Sequence, residues 1–218
     1  MTKILLTLVI FMSFPFLASA QFDKGSILLG GQLAYSHYST KYPQATTDAS
    51  NYGSFIVSAG KAITENQVFG INLTYNPTSI DNYNNYGLVA LNYKNTGYGI
   101  GVFYRKYKSL GKEFFLFGEA GAGYTGSSAT GKDSTDKKLL DGSTNSGRIY
   151  LTPGIAYKIS KKFFLELTIP DIFNAQYSNQ KVSVPGTSYS NNTDQFSINT
   201  SLSSNPLNAL GIGFRLIL

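Results

Sequence analysis

The sequence predicts an all-β protein, an eight-stranded antiparallel up-and-down transmembrane β-barrel. First, hydrophobic side chains alternate with small or polar ones through most of the chain, which is the period of strands. Second, only 14% of residues are charged and another 14% are aromatic, whereas soluble domains are about 25% charged. Third, after residue 20 no apolar run is long enough for a spanning helix, so a membrane-spanning chain would have to close into a barrel.

The clearest alternation lies between Tyr98 and Thr125, with a short break at 109–112. One face is apolar and ends in tyrosines, while the other repeatedly carries glycine. A soluble sheet would place charged side chains on its wet face. Glycines suit a crowded interior instead, and the apolar face suits lipid, with rings at the headgroups. The segment is therefore predicted to be a hairpin about ten residues deep, the length that a tilted spanning strand needs.

Residues 1–20 have the pattern of a cleaved signal peptide. Lys3 gives a positive start, 4–17 is a nearly unbroken apolar run, and 18–20 reads Ala-Ser-Ala, a small-residue cleavage site. A membrane anchor helix is the alternative, but the run is short and contains Pro15. Residues 21–218 are predicted to be one barrel domain. Export by a signal peptide together with a barrel predicts the outer membrane of a Gram-negative bacterium.

The first three strands are separated by one loop and one tight turn. The first begins at Ser26 and is followed by a polar loop, 37–50. The second runs from Tyr52 to Ile63, and 64–66 turns the chain. The third sets Phe69, Ile71, Leu73 and Tyr75 against Gly70, Asn72, Thr74 and Asn76. Short turns that alternate with long loops are typical of outer-membrane barrels.

The remaining connections are predicted to be long polar loops at 77–96, 126–145 and 171–194. Within the first of them, 86–93 is strand-like. It could form an external hairpin with the strand that starts at Tyr98, or it could extend a strand beyond the membrane, which keeps the strand count even. The last strands are predicted at 98–108, 113–125, 148–159, 163–169 and 207–218. The total is eight strands, three tight turns and four loops.

Two stretches resemble a known group of proteins. GVFYRKYKSLGKEFFLFGEAGAGY, Gly101 to Tyr124, and the segment Leu151 to Leu167 are similar to paired strands of the small outer membrane protein beta-barrel domain family, the OmpX-like and OmpA-transmembrane-domain-like eight-stranded barrels. The resemblance covers 26–218. It implies insertion by the barrel assembly machinery and surroundings of lipopolysaccharide and phospholipid, and little about activity. Such barrels usually end on an aromatic residue, whereas this chain ends on Leu218.

Polar residues of the inward parity are predicted to fill the lumen. Arg105 and Glu119 have matching parity on paired strands and are predicted to lie at diagonal positions, and Lys158 and Glu166 stand in the same relation across the next short turn. Eight strands leave room only for side chains, and an unpaired charge there is costly. A gated solute or ion path is the alternative to such a plug. The predicted network consists of Arg105, Glu119, Lys158, Glu166, Arg148, Arg215, Gln32 and Asn72.

Aromatic residues of the outward parity are predicted to mark the two membrane interfaces. These belt residues are Tyr35, Tyr75, Tyr98, Tyr104, Tyr124, Tyr157, Phe163 and Phe214. The net charge is +6, and several lysines lie near the short turns, where long amines can reach lipid phosphates. Export makes nucleic acid an improbable partner, so none is predicted.

Sites for chemistry are few. His37 is the only histidine, so a hydrolase with a histidine base, such as a lipid A-modifying enzyme, would have to use it.

Residues 121–126 fit G-x-G-x-x-G and 126–132 fit part of a phosphate loop. However, Asp133 stands where the second pattern needs a hydroxyl, and neither pattern opens a helix. No cysteine is present, which excludes disulfides and thiolate metal sites. The chain is predicted to be neither an enzyme nor a cofactor-binding protein.

The function predicted from the sequence is structural, or surface interaction and adhesion. A monomeric barrel would present its long loops to an extracellular protein or glycan. Three alternatives stay open: a narrow porin-like channel, a lipid A-modifying enzyme using His37, and a soluble lipocalin-type carrier. The last requires the apolar parity to point inward and the glycine parity to face water.

Overall fold

The structure, a computed structural model, describes residues 23–40, 48–85, 88–169, 172–200 and 210–218. In these ranges no helix has the length and hydrophobicity to cross a membrane. The predicted signal peptide, 1–20, lies outside them. The described strands are β1 (Ile27–Thr40), β2 (Asp48–Thr64), β3 (Gln67–Asn85), β4 (Leu88–Gly111), β5 (Phe114–Lys132), β6 (Lys138–Lys158), β7 (Phe163–Thr168), β8 (Phe173–Ser183), β9 (Ser190–Asn199) and β10 (Gly211–Ile217).

Eight of these strands close into a barrel. From β1 to β7 each strand pairs antiparallel with its neighbour in the sequence, the last such pair being β6 and β7, and β10 pairs with both β7 and β1. Leu28 of β1 lies opposite Ile217 of β10, which joins the first and last strands. The predicted eight-stranded antiparallel up-and-down barrel is therefore confirmed. The tight turns after β2, β4 and β6 mark one end, called here the short-turn end, and the opposite end is called the outer end.

Strand β6 changes partners along its length. Near the short-turn end its residues 154–158 pair with β7, and toward the outer end its residues 141–151 pair with β8. Strand β8 thus continues along the same side of β6 as β7. Strand β9 pairs with β8 through residues 190–199. The β8–β9 hairpin therefore extends the wall of the barrel at its outer end.

Most of the predicted loops are strands. Residues 37–40 belong to β1, and 77–85 and 88–96 belong to β3 and β4. Residues 126–132 and 138–145 continue β5 and β6, and much of 171–194 forms β8 and β9. The loop prediction was wrong because most residues of these segments are polar. A paired hairpin built mainly of polar residues keeps its backbone hydrogen bonds but lacks the regular hydrophobic alternation by which strands are recognised.

The strand-like segment near 86–93 extends β4 beyond the barrel. Its described part pairs with β3, with Leu88 opposite Asn85 and Tyr93 opposite Ile80. Strand β4 runs without interruption through 94–97. The alternative of an external hairpin that turns at 94–97 was therefore wrong, and the even strand count is kept.

Side-chain direction follows the predicted parity. On the outward face Leu73, Ile100 and Ile212 are more than half exposed. On the inward face Leu28, Phe115 and Phe164 are at most 1% exposed. The exposed apolar surface is the opposite of what a soluble lipocalin-type carrier requires. The inward face is nevertheless not polar throughout, because an apolar cluster occupies the lumen near the short-turn end.

Gly70 provides a test of how closely β2 and β3 approach inside the barrel. A Cβ atom at Gly70 would lie 2.7 Å from Gly60 Cα and 2.7 Å from Phe103 Cζ, and it would also meet the Ala59 carbonyl oxygen. Since backbone atoms cannot move aside, Gly70→Ala is expected to destabilise the barrel by about 1–3 kcal/mol. The measurement is the temperature at which the folded band disappears in electrophoresis of heated detergent samples.

The control for this test is Gly118→Ala. A Cβ there has no heavy atom within 4 Å, so this variant should keep the transition temperature of the parent chain. Equal shifts in the two variants would contradict the close approach at Gly70.

Candidate functional site in the lumen and at the outer rim

A buried ion network crosses the lumen from β4 to β5 and β7. Arg105 lies directly opposite Glu119 in the register, and Arg105 Nη2 is 2.7 Å from Glu119 Oε2. Arg105 Nη1 donates to both carboxylate oxygens of Glu166 at 2.7 Å. The predicted association of Arg105 with Glu119 is thus present in the structure, as a direct pair and not a diagonal one.

Glu166 has a second arginine partner, on β10. Arg215 Nη2 donates to Glu166 Oε2 at 3.1 Å, and Arg215 Nη1 donates to Ser58 Oγ at 2.8 Å. The predicted pairing of Lys158 with Glu166 was wrong. Lys158 lies opposite Phe164, nearer the short-turn end, while Arg105 and Arg215 approach the carboxylate from the neighbouring walls.

The three central members of the network are removed from solvent. Arg105, Glu166 and Arg215 are 4%, 3% and 4% exposed. The Arg105 guanidinium carbon also lies 4.2 Å from the centroid of the Phe117 ring, a cation–π distance. Because an unpaired charge at this depth would be costly, each of these groups requires the others.

An aromatic layer closes the lumen between the ion network and the short turns. Phe115, Phe117 and Phe164 are at most 2% exposed. The rings of Phe115 and Phe164 meet edge to face with centroids 5.9 Å apart. Their inward parity could be read from the sequence, but their assembly into a layer was not predicted. The signal was present, since inward aromatic residues are concentrated on both sides of the turn at 111–113.

The remaining predicted lumen residues lie on the outer side of the ion network. Gln32 Nε2 donates to Thr168 Oγ1 at 2.9 Å. Asn72 Nδ2 donates to the Tyr150 hydroxyl at 3.0 Å, and that hydroxyl donates to Glu119 at 3.2 Å. Arg148 places its guanidinium carbon 5.0 Å from the centroid of the Tyr150 ring. Tyr150 connects Asn72 and Arg148 to the ion network, although the sequence did not single it out.

The predicted belt residues fall into two outward-facing groups. Toward the outer end, the Tyr75 and Tyr98 rings are 5.2 Å apart. Toward the short-turn end, Phe163 stacks on Phe214 with centroids 6.1 Å apart. The outer group contains Tyr35, Tyr75, Tyr98 and Tyr124, and the inner group contains Tyr104, Tyr157, Phe163 and Phe214.

The spacing of these groups fits a bilayer. On β5, Phe114 and Tyr124 are ten residues apart, and both lie on the outward face. This spacing corresponds to about 33 Å along a strand, or roughly 25 Å along the axis of a barrel whose strands tilt by about 40°. The apolar band of outer-membrane barrels has about this height.

A repeated hydrogen bond fixes the tyrosines of the outer rim. The hydroxyl groups of Tyr35, Tyr124 and Tyr177 each donate to a side-chain oxygen at 2.8 Å. In every case the acceptor lies two positions further outward on the next strand. The acceptors are Asn51, Asn145 and Asp194. Sequence reasoning missed the last two because it placed Asn145 and Asp194 in loops, and it assigned Asn51 to no strand.

The polar groups beyond the rim hold the outer hairpins in defined conformations. Hydrogen bonds from the Asn179 side chain and the Tyr177 hydroxyl lower the pKa of Asp194. In the turn between β5 and β6, the Thr135 hydroxyl lowers the pKa of Asp133 by donating to its carboxylate. Asp133 is the residue that breaks the phosphate-loop pattern, and here it caps a turn.

His37 lies exposed at the outer rim. Its Nδ1 atom is 2.8 Å from Asn51 Oδ1, the oxygen that also accepts from Tyr35. The structure thus brings an amide, and not an acid, to this ring nitrogen.

Among the described residues, no group of three or more His, Asp or Glu side chains could hold a metal ion. Gly121 and Gly123 of the nucleotide-like pattern lie within β5, opposite Tyr150 and Arg148.

No protein-family model matches the sequence, and no curated protein matches it. Solved structures do match. The outer membrane protein OprG from Pseudomonas aeruginosa is 13% identical, with a TM-score of 0.54 over 92% of this chain and 99% of that protein. Neisserial surface protein A is 14% identical, with a TM-score of 0.48 over 88% of this chain and 97% of that protein. The fold is that of the small outer-membrane β-barrels, and the resemblance inferred from the sequence is confirmed for the fold.

The central carboxylate can be tested by removing only its charge. Glu166→Gln keeps an oxygen acceptor but removes the negative charge that Arg105 and Arg215 share. Glu119 is then the one carboxylate left in the network for two buried arginines. We therefore expect the free energy of unfolding to fall by about 3–5 kcal/mol. Urea denaturation in detergent micelles measures it. Glu113→Gln, at an exposed position near the short-turn end, is the control and should change the midpoint little. A midpoint for Glu166→Gln as high as that of the control would refute the structural importance of this pair.

Proposed function

We propose that the chain is an integral outer-membrane protein of a Gram-negative bacterium that uses its barrel as a closed scaffold and its projecting hairpins to bind a partner outside the cell. The observation that carries this proposal is the length of the paired hairpins beyond the outer tyrosines. On β4 alone, ten residues separate Tyr98 from Leu88, about 33 Å along a strand.

The outward surface supports the membrane location. An apolar band lies between two aromatic groups, which is the surface that lipid requires. In this proposal the short-turn end faces the periplasm, and lipopolysaccharide and phospholipid surround the wall. Insertion would depend on the barrel assembly machinery. The signal peptide predicted at 1–20 would deliver the chain to that machinery.

The filling of the lumen supports a scaffold in preference to a channel. A solute that crossed the barrel would have to displace the Phe115 and Phe164 rings and separate Glu166 from its two arginines. Both steps expose groups that are now buried, and the second leaves charges unpaired. We therefore propose that the ion network and the aromatic layer brace the wall. The proposal includes no enzymatic step and no cofactor.

The outer hairpins offer the surface that a partner would contact. Their strands are rich in Asn, Ser, Thr and Tyr, and hydrogen bonds such as Asn179 Nδ2 to Asn192 Oδ1 at 2.9 Å order their side chains. An ordered surface loses little conformational entropy when it binds. Tyrosine and amide groups suit a glycan or a protein, because they combine flat apolar rings with hydrogen-bonding groups.

The closed scaffold can be tested by electrical recording. The purified chain in a planar bilayer is expected to give no steady conductance steps, because the aromatic layer and the ion network block the lumen. Insertion is checked by a heat-modifiable band in electrophoresis of the outer-membrane fraction. Steady steps whose size changes in Arg105→Ala would contradict the scaffold and favour the narrow channel.

Surface interaction can be tested by shortening one hairpin at a time. In the β3–β4 hairpin, residues 81–92 can be replaced by Asn-Gly, because Ile80 and Tyr93 are paired and such a turn closes a two-residue hairpin. In the β5–β6 hairpin, residues 130–141 can be replaced in the same way, between the paired Ala129 and Gly142. At least one shortened variant should reduce cell binding to a glycan array or to immobilised mucin.

Each shortened variant is compared with the parent chain for heat-modifiable mobility and surface amount. Unchanged binding by all variants, with the barrel intact at the cell surface, would show that the hairpins are not the binding surface.

A further inference from the structure

The lumen contains a polar cavity directly outward of the ion network. Its volume is about 160 Å³, and its wall includes Arg105, Arg148, Arg215, Glu119, Asn72 and Tyr150. Toward the short-turn end the cavity is bounded by Arg105 and Arg215 of the ion network, and the aromatic layer lies beyond them. The cavity is therefore the closed inner end of the outer half of the lumen.

Small residues keep this space open. Ala34, Ser54 and Ser58 line it. Gly30 makes room for the guanidinium of Arg215, since a Cβ there would lie 2.7 Å from Arg215 Cζ and 2.9 Å from Ser58 Oγ. A barrel that served only as a packed scaffold would be expected to carry larger side chains at Ala34 and Ser54, which would fill this space.

Guanidinium groups outnumber carboxylates in the wall of the cavity. Three guanidinium groups line it, and Glu119 is the one carboxylate in its wall. Glu166, just beneath, is shared by Arg105 and Arg215. Counting both glutamates against the three arginines leaves an excess of one positive charge. In a confined space of low dielectric, such an excess attracts an anion more strongly than it would in water.

The hydrogen bonds of Arg215 leave donors for a ligand. A guanidinium carries five N–H groups, and the bonds of Arg215 to Glu166 and Ser58 use three of them. One N–H remains on each terminal nitrogen. Two such donors in a planar fork match the geometry of a carboxylate or a phosphate.

We propose that this cavity is a binding site for a compact oxyanion, such as inorganic phosphate or a small carboxylate, which enters from the outer end. A cavity of about 160 Å³ has room for several water molecules or for one compact oxyanion. Arg215 and Arg148 supply the positive charge, and Asn72 and Tyr150 border the site. The inference goes beyond the proposed scaffold and hairpin function and does not depend on it.

The test is isothermal titration of the full-length barrel in detergent micelles. Inorganic phosphate and acetate are the anionic probes, and methylammonium chloride is the cationic control. Saturable heat is expected with at least one of the anions and none with methylammonium. Arg148→Gln removes one charge from the wall and should weaken binding at least tenfold, by about 1.4 kcal/mol. Ala34→Leu should fill the cavity and abolish binding.

Two controls keep the outcome decisive. Lys181→Gln removes an exposed positive charge from β8, and Ala122→Leu adds the same side chain on the outward face as Ala34→Leu adds inside. Both should bind the anion as the parent chain does, and heat-modifiable mobility confirms that every variant is folded. The proposal is overturned if neither anion binds, if Ala34→Leu binds normally, or if Lys181→Gln weakens binding as much as Arg148→Gln does.

Discussion

One carboxylate holds three parts of the wall together. Glu166 of β7 accepts hydrogen bonds from Arg105 of β4 and Arg215 of β10, so strands on different sides of the barrel meet at one group. The backbone ladders fix each strand only to its neighbours, whereas this contact acts across the diameter. Its energy depends on the absence of water, since the same pairs at the surface would contribute about 0–1 kcal/mol. The aromatic layer and the closed wall provide that dry environment.

The glycines and the large lumen residues form one packing arrangement. Gly60 and Gly70 admit the Phe103 ring, and Gly154 admits the Phe117 ring. On β5, Gly121 leaves room for Tyr150, which in turn bonds to Glu119. Glycine on the inward face is thus matched to a particular ring on a neighbouring strand. This explains why a barrel with few charges can hold both an aromatic layer and a buried ion network within eight strands.

Alternation along the chain was sufficient to predict the strand number, the tight turns and the side of the wall on which each residue lies. The alternation does not predict the parts of strands that lie beyond the membrane, because no lipid there requires an apolar face. Beyond the outer tyrosines most residues are polar, so β5 and β6 extend to 132 and 138 without a regular apolar alternation to reveal them. The partner of Glu166 was missed for a different reason. Lys158 is close in the chain and across the nearest turn, but Arg105 and Arg215 are close only once the barrel closes, and parity contains no information on distances across the lumen.

The outer hairpins have a mechanical consequence. In the β3–β4 hairpin the rungs continue from the pair Asn85 and Leu88 down to the pair Gln67 and Lys106, inside the wall. A pull on the tip would therefore peel the strands apart one rung after another, and each broken rung would lengthen the tether slightly. If the hairpins bind the partner proposed above, a load on an attached cell would be taken up by this stepwise separation before it reached the packed rings and charges of the lumen.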